Sequence, residues 1–188
     1  MLTGDLYLSS DYEKVRFSVI NNDKSVFNCF KKQVIINWWN KTDTQLVSTW
    51  SAKGRGMELS ALTSFNGRLL AVDDRTGIVY SIQDGANMVP WVILTDGDGN
   101  KAKGFKGEWS TVKGDKLIVG GIGKEWTTRD GNTIISHDPM WIKEISCDGG
   151  VKHVDWRNSY IRVRESLNIS LPGYMIHEVR LKMAMVFS

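Results

Sequence analysis

Two hairpins 48 residues apart constrain the fold of this chain more than any other feature of its sequence. "SALTSFNGRLLAV", beginning at Ser60, and "EWSTVKGDKLIVG", beginning at Glu108, align on their turns. In each the turn starts six residues after the first position, at Asn66 and Gly114, and an apolar pair follows, Leu69-Leu70 and Leu117-Ile118. Asn-Gly between two such runs is the strongest short hairpin signal, because the tight turn needs residues that tolerate positive φ. "RLLAVDD" turns through Arg75, Thr76 and Gly77 into "IVYSI", and "MWIKEIS" meets "VKHVDW" across "CDGG"; only "RNSYIRVRESLNI" carries enough helix formers for a short helix. The fold class is therefore all-β, built as a meander of antiparallel strands. A repeat of this period predicts β-propeller blades, at about 40 to 50 residues each. It also puts Ser60 and Glu108 at one structural position in successive blades, so both side chains are expected to face a central channel.

Length and charge exclude several alternatives. A chain of 188 residues is ordinarily one domain with room for a core. No run of about 18 apolar residues is present to span a membrane as a helix. The net charge of +3 is scattered, without the clustered basic face that a nucleic-acid polymer would require as partner. "MLTGDLYLSSDYEKV" has acidic residues where a signal peptide would carry its apolar stretch, so no signal peptide is expected in this chain. Cys29 and Cys147 decide neither compartment nor metal site. The sequons Asn40-Lys41-Thr42 and Asn168-Ile169-Ser170 matter only in the secretory pathway.

"TDGDGNKAKGFKGEW", Thr95 to Trp109, has the look of a calcium loop but fails its register: Asp96, Asp98 and Asn100 fit positions 1, 3 and 5, whereas Lys101 stands where the loop needs glycine and Gly107 where it needs a bidentate glutamate. Asp96 and Asp98 are expected to build a polar turn. "GGIGKE" is not a P-loop, since Ile118 and Glu125 occupy the places of the first glycine and the final Ser/Thr. His177-Glu178 lacks the second histidine of a zinc-protease motif, and His137 and His153 have no partners at ligand spacing.

Successive motifs carry a resemblance. "KGRGMELSAL", "VDDRTGIVY", "VPWVILTDGDG", "KGFKGEW", "VGGIGKEWTT" and "PGYMIHE" run in order from Ser51 to Glu178 and are similar to those of the calcium-activated nucleotidases, the soluble apyrases. The resemblance implies a five-bladed propeller with Ca2+ on its axis that hydrolyses nucleoside di- or triphosphates to the monophosphate and phosphate. It implies Ser60, Glu108 and Glu178 as calcium ligands, hard oxygen donors for a hard cation. Arg55 and Arg75 suit the substrate's phosphates, because a guanidinium donates a charge-assisted fork to phosphate oxygens. Asp74 and Glu125 correspond to acidic active-site residues, either of which could orient or deprotonate the attacking water. On the residues alone, turn capping is the commoner role for an aspartate placed as Asp74 is, Glu125 beside Lys124 is equally an ordinary loop pair, and the core is the commoner fate of an aromatic such as Trp126, with stacking on the base as the alternative. The family places such a protein outside the cell or in the ER/Golgi lumen.

Departures from the family pattern set further expectations. Residues 1–50 are expected to form a divergent N-terminal blade region with an insertion near 20–34, residues 51–178 the apyrase-type blades, and 179–188 a tail without family counterpart. Five blades need roughly 200 to 250 residues, so about three are expected here, as an incomplete propeller. Loss of ligands and of closure would weaken calcium binding and impair turnover. The alternative is a non-catalytic propeller fragment that binds calcium or a nucleotide; a carbohydrate-binding propeller fits the tryptophan content but not the acidic axis. Exposed strand edges leave a homodimer open.

Overall fold

The chain folds around two stacked antiparallel sheets. The computed structural model describes residues 15–17, 27–28, 33–34 and 44–178. In the N-terminal region β1 (Val15–Phe17) pairs with β4 (Thr44–Leu46), and β2 (Phe27–Asn28) pairs with β3 (Gln33–Val34). Most of the expected insertion near 20–34 lies outside the described residues, as do Cys29, the sequon at Asn40 and the tail 179–188.

The first four-stranded sheet is an uninterrupted meander of β5 (Leu59–Phe65), β6 (Arg68–Asp73), β7 (Ile78–Gln83) and β8 (Asn87–Ile93). At the Asn66-Gly67 turn both residues have positive φ, 47° and 72°, the condition for a type I′ hairpin whose twist matches its strands. Asp84 and Gly85, between β7 and β8, repeat the device at 49° and 78°. The second sheet orders β9 (Trp109–Lys113), β10 (Lys116–Gly120), β13 (Trp141–Ile145) and β14 (Val151–Asp155) in the same antiparallel sense. The short pair β11 (Trp126–Thr127) and β12 (Ile134–Ser136) is inserted between β10 and β13. Helix α1 (Arg157–Glu165) follows β14, where the sequence predicts a helix.

Period-two alternation in the central strands decides how the sheets stack. Leu70 and Vals 72 and 79 of the first sheet meet Leu117, Val119 and Ile145 of the second in one buried layer, closed by Phe105. The intervening Ala71 faces the opposite way, toward Leu46, Leu59 and Tyr80. Ile118 likewise turns from its neighbours toward Trp109, Met140 and Tyr160. Central strands buried on both faces read as continuous apolar runs, which is why "RLLAV" and "KLIVG" carry no polar alternation. The all-β expectation is met, and no sheet closes on itself among the described residues.

Candidate functional site

The site is assembled where two edge strands, β5 of the first sheet and β9 of the second, run beside each other. Ser60 lies opposite Val72 while Leu62 lies opposite Ala71, so Ala61 is an extra, bulged residue. Its φ is +59°, a left-handed conformation that costs an alanine about 1 to 2 kcal/mol and re-aims the neighbouring side chain. The Ser60 hydroxyl donates to Glu108 Oε2 at 3.3 Å, across the 48-residue repeat. The same two strands are tied again by Thr63 and Ser110, hydroxyl to hydroxyl.

Glu108 is brought in by glycine. A Cβ on Gly107 would stand 2.7 Å from Val72 Cγ1 and 3.1 Å from Val119 Cγ1, so only glycine lets the backbone thread between the sheets. Glu108 N–H then donates to Gly120 O at 2.8 Å and its carboxylate is 6% exposed. Lys106, two residues earlier, donates to Glu108 Oε1 and, at 2.6 Å, to Asp74 Oδ2. Burial pushes the Glu108 carboxyl above its ordinary range; Lys106 opposes the rise, and the charges of Glu178 and Asp74 add to it. Burial works against the Lys106 charge as well, but its two carboxylates outweigh that and raise its pKa.

Of the two aspartates in "DDRTG", Asp73 rather than Asp74 organises the turn. Fully buried, it accepts Met57 N–H at 3.0 Å, Glu58 N–H at 3.2 Å, Arg75 N–H at 2.9 Å and the Thr76 hydroxyl at 2.6 Å. Asp74 is thereby released from capping; its Oδ1 is buried without a hydrogen-bond partner, 3.6 Å from Arg75 Nε. Glu58, which sequence reasoning missed, gathers both arginines: Arg55 donates to it through two nitrogens at 2.8 Å each, and Arg75 Nε donates at 2.8 Å. Burial would raise the Glu58 carboxyl, but the hydrogen bonds from Arg75 and Arg55 prevail and hold it low. Ser60, Glu108, Lys106, Asp74, Arg75, Glu58 and Arg55 thus form one connected polar chain.

Glu178 is exposed and reaches this group through its charge on Glu108. Its segment is held where His177 N–H donates to Ile122 O at 3.0 Å and the His177 ring packs on Tyr160, centroids 4.9 Å apart.

Glu125 and Trp126 lie apart from that chain of contacts. Arg164 of α1 grips Glu125 with Nη1 to Oε2 at 2.7 Å and Nη2 to Oε1 at 3.1 Å, both residues being buried. Burial favours the neutral acid, yet the Arg164 bonds prevail and lower the Glu125 pKa. Trp126 is 45% exposed rather than in the core, with Lys103 Nζ 5.4 Å from its ring centroid. Beside them opens a cleft of about 360 Å³ lined by Lys124, Glu125, Thr127, Arg129, Pro172 and Tyr174.

The polar turn at 96–100 is built as its sequence predicts. Asp96 accepts Gly97 N–H and the Lys103 ammonium, and Asp98 accepts Asn100 N–H. Beneath it lies a residue sequence reasoning missed: Lys143, fully buried, donates to Gly97 O at 2.5 Å and to His153 Nδ1 at 2.9 Å and packs 4.7 Å from the Phe105 ring centroid. Burial pushes its pKa down to about 8.

The donor set at the Ser60 end suits a hard cation: a hydroxyl, the Glu108 carboxylate, Asp74 Oδ1 without a hydrogen bond though 3.6 Å from Arg75 Nε, and the charge of Glu178 within range. These oxygens are not yet gathered into a cage, since no group of three or more His, Cys, Asp or Glu among the described residues is arranged to hold a metal.

Comparison with known proteins places these features in a lineage. The family model described as Apyrase matches residues 8–184. Apyrase apy-1 of Caenorhabditis elegans is 47% identical over 178 residues, 95% of this chain and 50% of the relative. An apyrase of Cimex lectularius is 49% identical over 78% of this chain and 40% of its own length. Soluble calcium-activated nucleotidase 1 of Rattus norvegicus is 51% identical over 74% of this chain and 34% of its own. The chain thus spans half or less of the length of these relatives.

Proposed function

The chain belongs to the apyrase family, and from that premise we propose that it forms part of a calcium-dependent phosphohydrolase acting on nucleoside di- or triphosphates of the UDP and GDP type. The observation that carries the reading is the contact between Ser60 and Glu108 across the repeat, joined through Lys106 to Asp74. Ser60, Glu108 and Glu178 would hold Ca2+. The metal, when bound, polarises the phosphoryl oxygens, and the name of the rat relative, a calcium-activated nucleotidase, supports its presence.

The residues of this chain supply the rest of the chemistry. Arg75 and Arg55 offer countercharge to the phosphates. Asp74 is the base: its buried Oδ1, without a hydrogen-bond partner, is the acceptor to which the attacking water passes its proton. The water oxygen bonds to the terminal phosphorus as the bridging P–O bond breaks, and the electron pair leaves with the nucleoside phosphate. Trp126, exposed beside the cleft, offers a face to the base. The two stacked four-stranded meanders are read as successive blades of a five-bladed propeller, of which this chain supplies about three. The word soluble in the rat relative's name, together with the family, supports a location outside the cell or in the ER/Golgi lumen. Among the described residues no helix is long and apolar enough to cross a membrane.

A second reading, a calcium- or nucleotide-binding propeller without catalysis, is favoured by one observation: the second acidic residue, Glu125, is already committed to Arg164. Phosphate release from UDP and GDP, with calcium and with chelator, separates the two. Calcium-dependent release that Asp74→Asn abolishes supports the hydrolase. Calorimetric nucleotide binding without release supports the second reading.

A further inference from the structure

Glu108 already has a cation. Lys106 Nζ bridges Glu108 Oε1 and Asp74 Oδ2, the latter at 2.6 Å, with its side chain 30% exposed. The other Glu108 oxygen, Oε2, accepts the Ser60 hydroxyl at 3.3 Å. Both oxygens of the most buried expected ligand, and the hydroxyl of the next, are therefore taken up by one another and by an ammonium group. An ion seated on Glu108 and Ser60 needs that carboxylate edge and a lone pair of that hydroxyl. A lysine ammonium is a compact point charge on a flexible stem. At contact distance an ammonium and a divalent cation on one carboxylate oxygen repel each other, so the presence of one weakens the hold of the other.

Resting on the calcium reading above, we infer that Lys106 is the site's internal counter-ion, and that calcium binds by exchange with it. The ammonium leaves Glu108 and keeps Asp74, and the exchange sets the calcium concentration at which the site fills. Lys106 stands at a tight turn two residues before Glu108, where Gly107 N–H donates to Phe105 O at 3.1 Å, so it stays tethered next to the place it vacates and returns when calcium is withdrawn.

The test uses the full chain with Lys106→Met and Lys106→Arg, titrated with calcium chloride by isothermal calorimetry. Lys106→Met removes the competing charge and keeps most of the stem; it is expected to bind calcium about tenfold more tightly, a gain of about 1.4 kcal/mol. Lys106→Arg keeps the charge and is expected to stay within about twofold of the unaltered protein, well inside that tenfold step. A second readout needs no variant. Lysine acetylation mapped by mass spectrometry should label Lys106 several-fold faster in calcium than in chelator, with Lys116 and Lys152, which pair with Glu144, unchanged. Equal or weaker calcium binding in Lys106→Met, or Lys106 labelling that ignores calcium in a protein that binds it, overturns the exchange. If Lys106→Met does not fold, the labelling result decides. Absence of calcium binding in all three proteins overturns the calcium reading itself and the exchange with it.

Discussion

Replacing Arg164 with methionine isolates what the Glu125 pair does. The two side chains are 9% and 5% exposed, and both guanidinium nitrogens that meet the carboxylate lie within 3.1 Å of it. Arg164→Met keeps a long apolar side chain on α1 but leaves the Glu125 carboxylate buried with no counter-charge, a change that costs about 3 to 5 kcal/mol when such a pair is broken on one side. Against a total stability of roughly 5 to 15 kcal/mol for a domain, the loss runs from about a fifth of the total to all of it. With a urea m-value of about 1 to 3 kcal/mol/M, the unfolding midpoint read by tryptophan fluorescence should fall by about 1 to 5 M. Removing both charges in Glu125→Gln with Arg164→Met should recover at least half of the loss, because the uncompensated charge is then gone.

The pH dependence has opposite signs in the two proteins. With Arg164 present, the folded Glu125 pKa lies below its ordinary value of 4.5, so the pair contributes fully above about pH 4.5 and its contribution is lost as pH falls through the lower folded pKa. Without Arg164, burial, the largest influence, is opposed only by a backbone hydrogen bond at Glu125 and the charge of His137, and the carboxyl is expected to titrate above its ordinary value; acid then neutralises the buried charge and narrows the gap between the variant and the original protein. An Arg164→Met cost under about 1 kcal/mol, the level of a surface ion pair, with no change in the gap between pH 7 and pH 4.5, would refute this reasoning. Glu125 would then be free to take the catalytic part its sequence motif suggests.

Glu108→Ala should lower calcium-dependent phosphate release by at least about 100-fold, the upper end of what even an outer-shell partner of a metal ligand costs, as measured by phosphate release across a calcium titration. Gly107→Ala should cost about 1 to 3 kcal/mol, as overpacking of a filled core does, because its methyl would meet Val72 and Val119; thermal denaturation reads the loss, and calcium calorimetry should show weaker binding as Glu108 is displaced. Lys143 titrates near 8 in the fold against 10.5 ordinarily, so between those values the unfolded chain holds more protons and stability rises with pH. Lys143→Met should abolish that rise, worth on the order of 3 kcal/mol across the window, in urea unfolding compared at pH 7.5 and pH 10.

What the sequence makes legible is local. The hairpins at Asn66-Gly67 and Gly114-Asp115 are written in residues adjacent to each other, and so is the two-faced burial of "RLLAV" and "KLIVG". The helix at Arg157–Glu165 follows from its composition. The Ser60 and Glu108 pairing is not local, yet it was readable because the repeat lays one hairpin on the other. The Lys106 contact with Glu108 is not of that kind, because a tight turn at Lys106, with Gly107 N–H donating to Phe105 O, stands where the pattern would suggest a strand.

The rest depends on what the second sheet brings to the first, and no spacing encodes that. "DDRTG" offers two chemically identical aspartates. Asp73 becomes the cap because it stands opposite Leu59 and so reaches the N–H groups of Met57 and Glu58, about a strand and a turn away. Arg164 reaches Glu125 across 39 residues, and Lys143 in "WIKEI" occupies a position that alternation assigns to neither a solvent face nor an apolar one. In each case a charged side chain is fixed by partners from elsewhere in the chain, because a buried charge is tolerated only where such partners exist. The strands therefore read out as scaffold, while the acidic groups proposed to do chemistry differ from those that brace the fold in one property the sequence lacks: whether hydrogen-bond partners already in place satisfy them. Asp73 and Glu125 are satisfied. Asp74 keeps one buried oxygen without a hydrogen-bond partner, 3.6 Å from Arg75 Nε, and Glu108 is satisfied by the Ser60 hydroxyl and by Lys106, the lysine we propose calcium displaces.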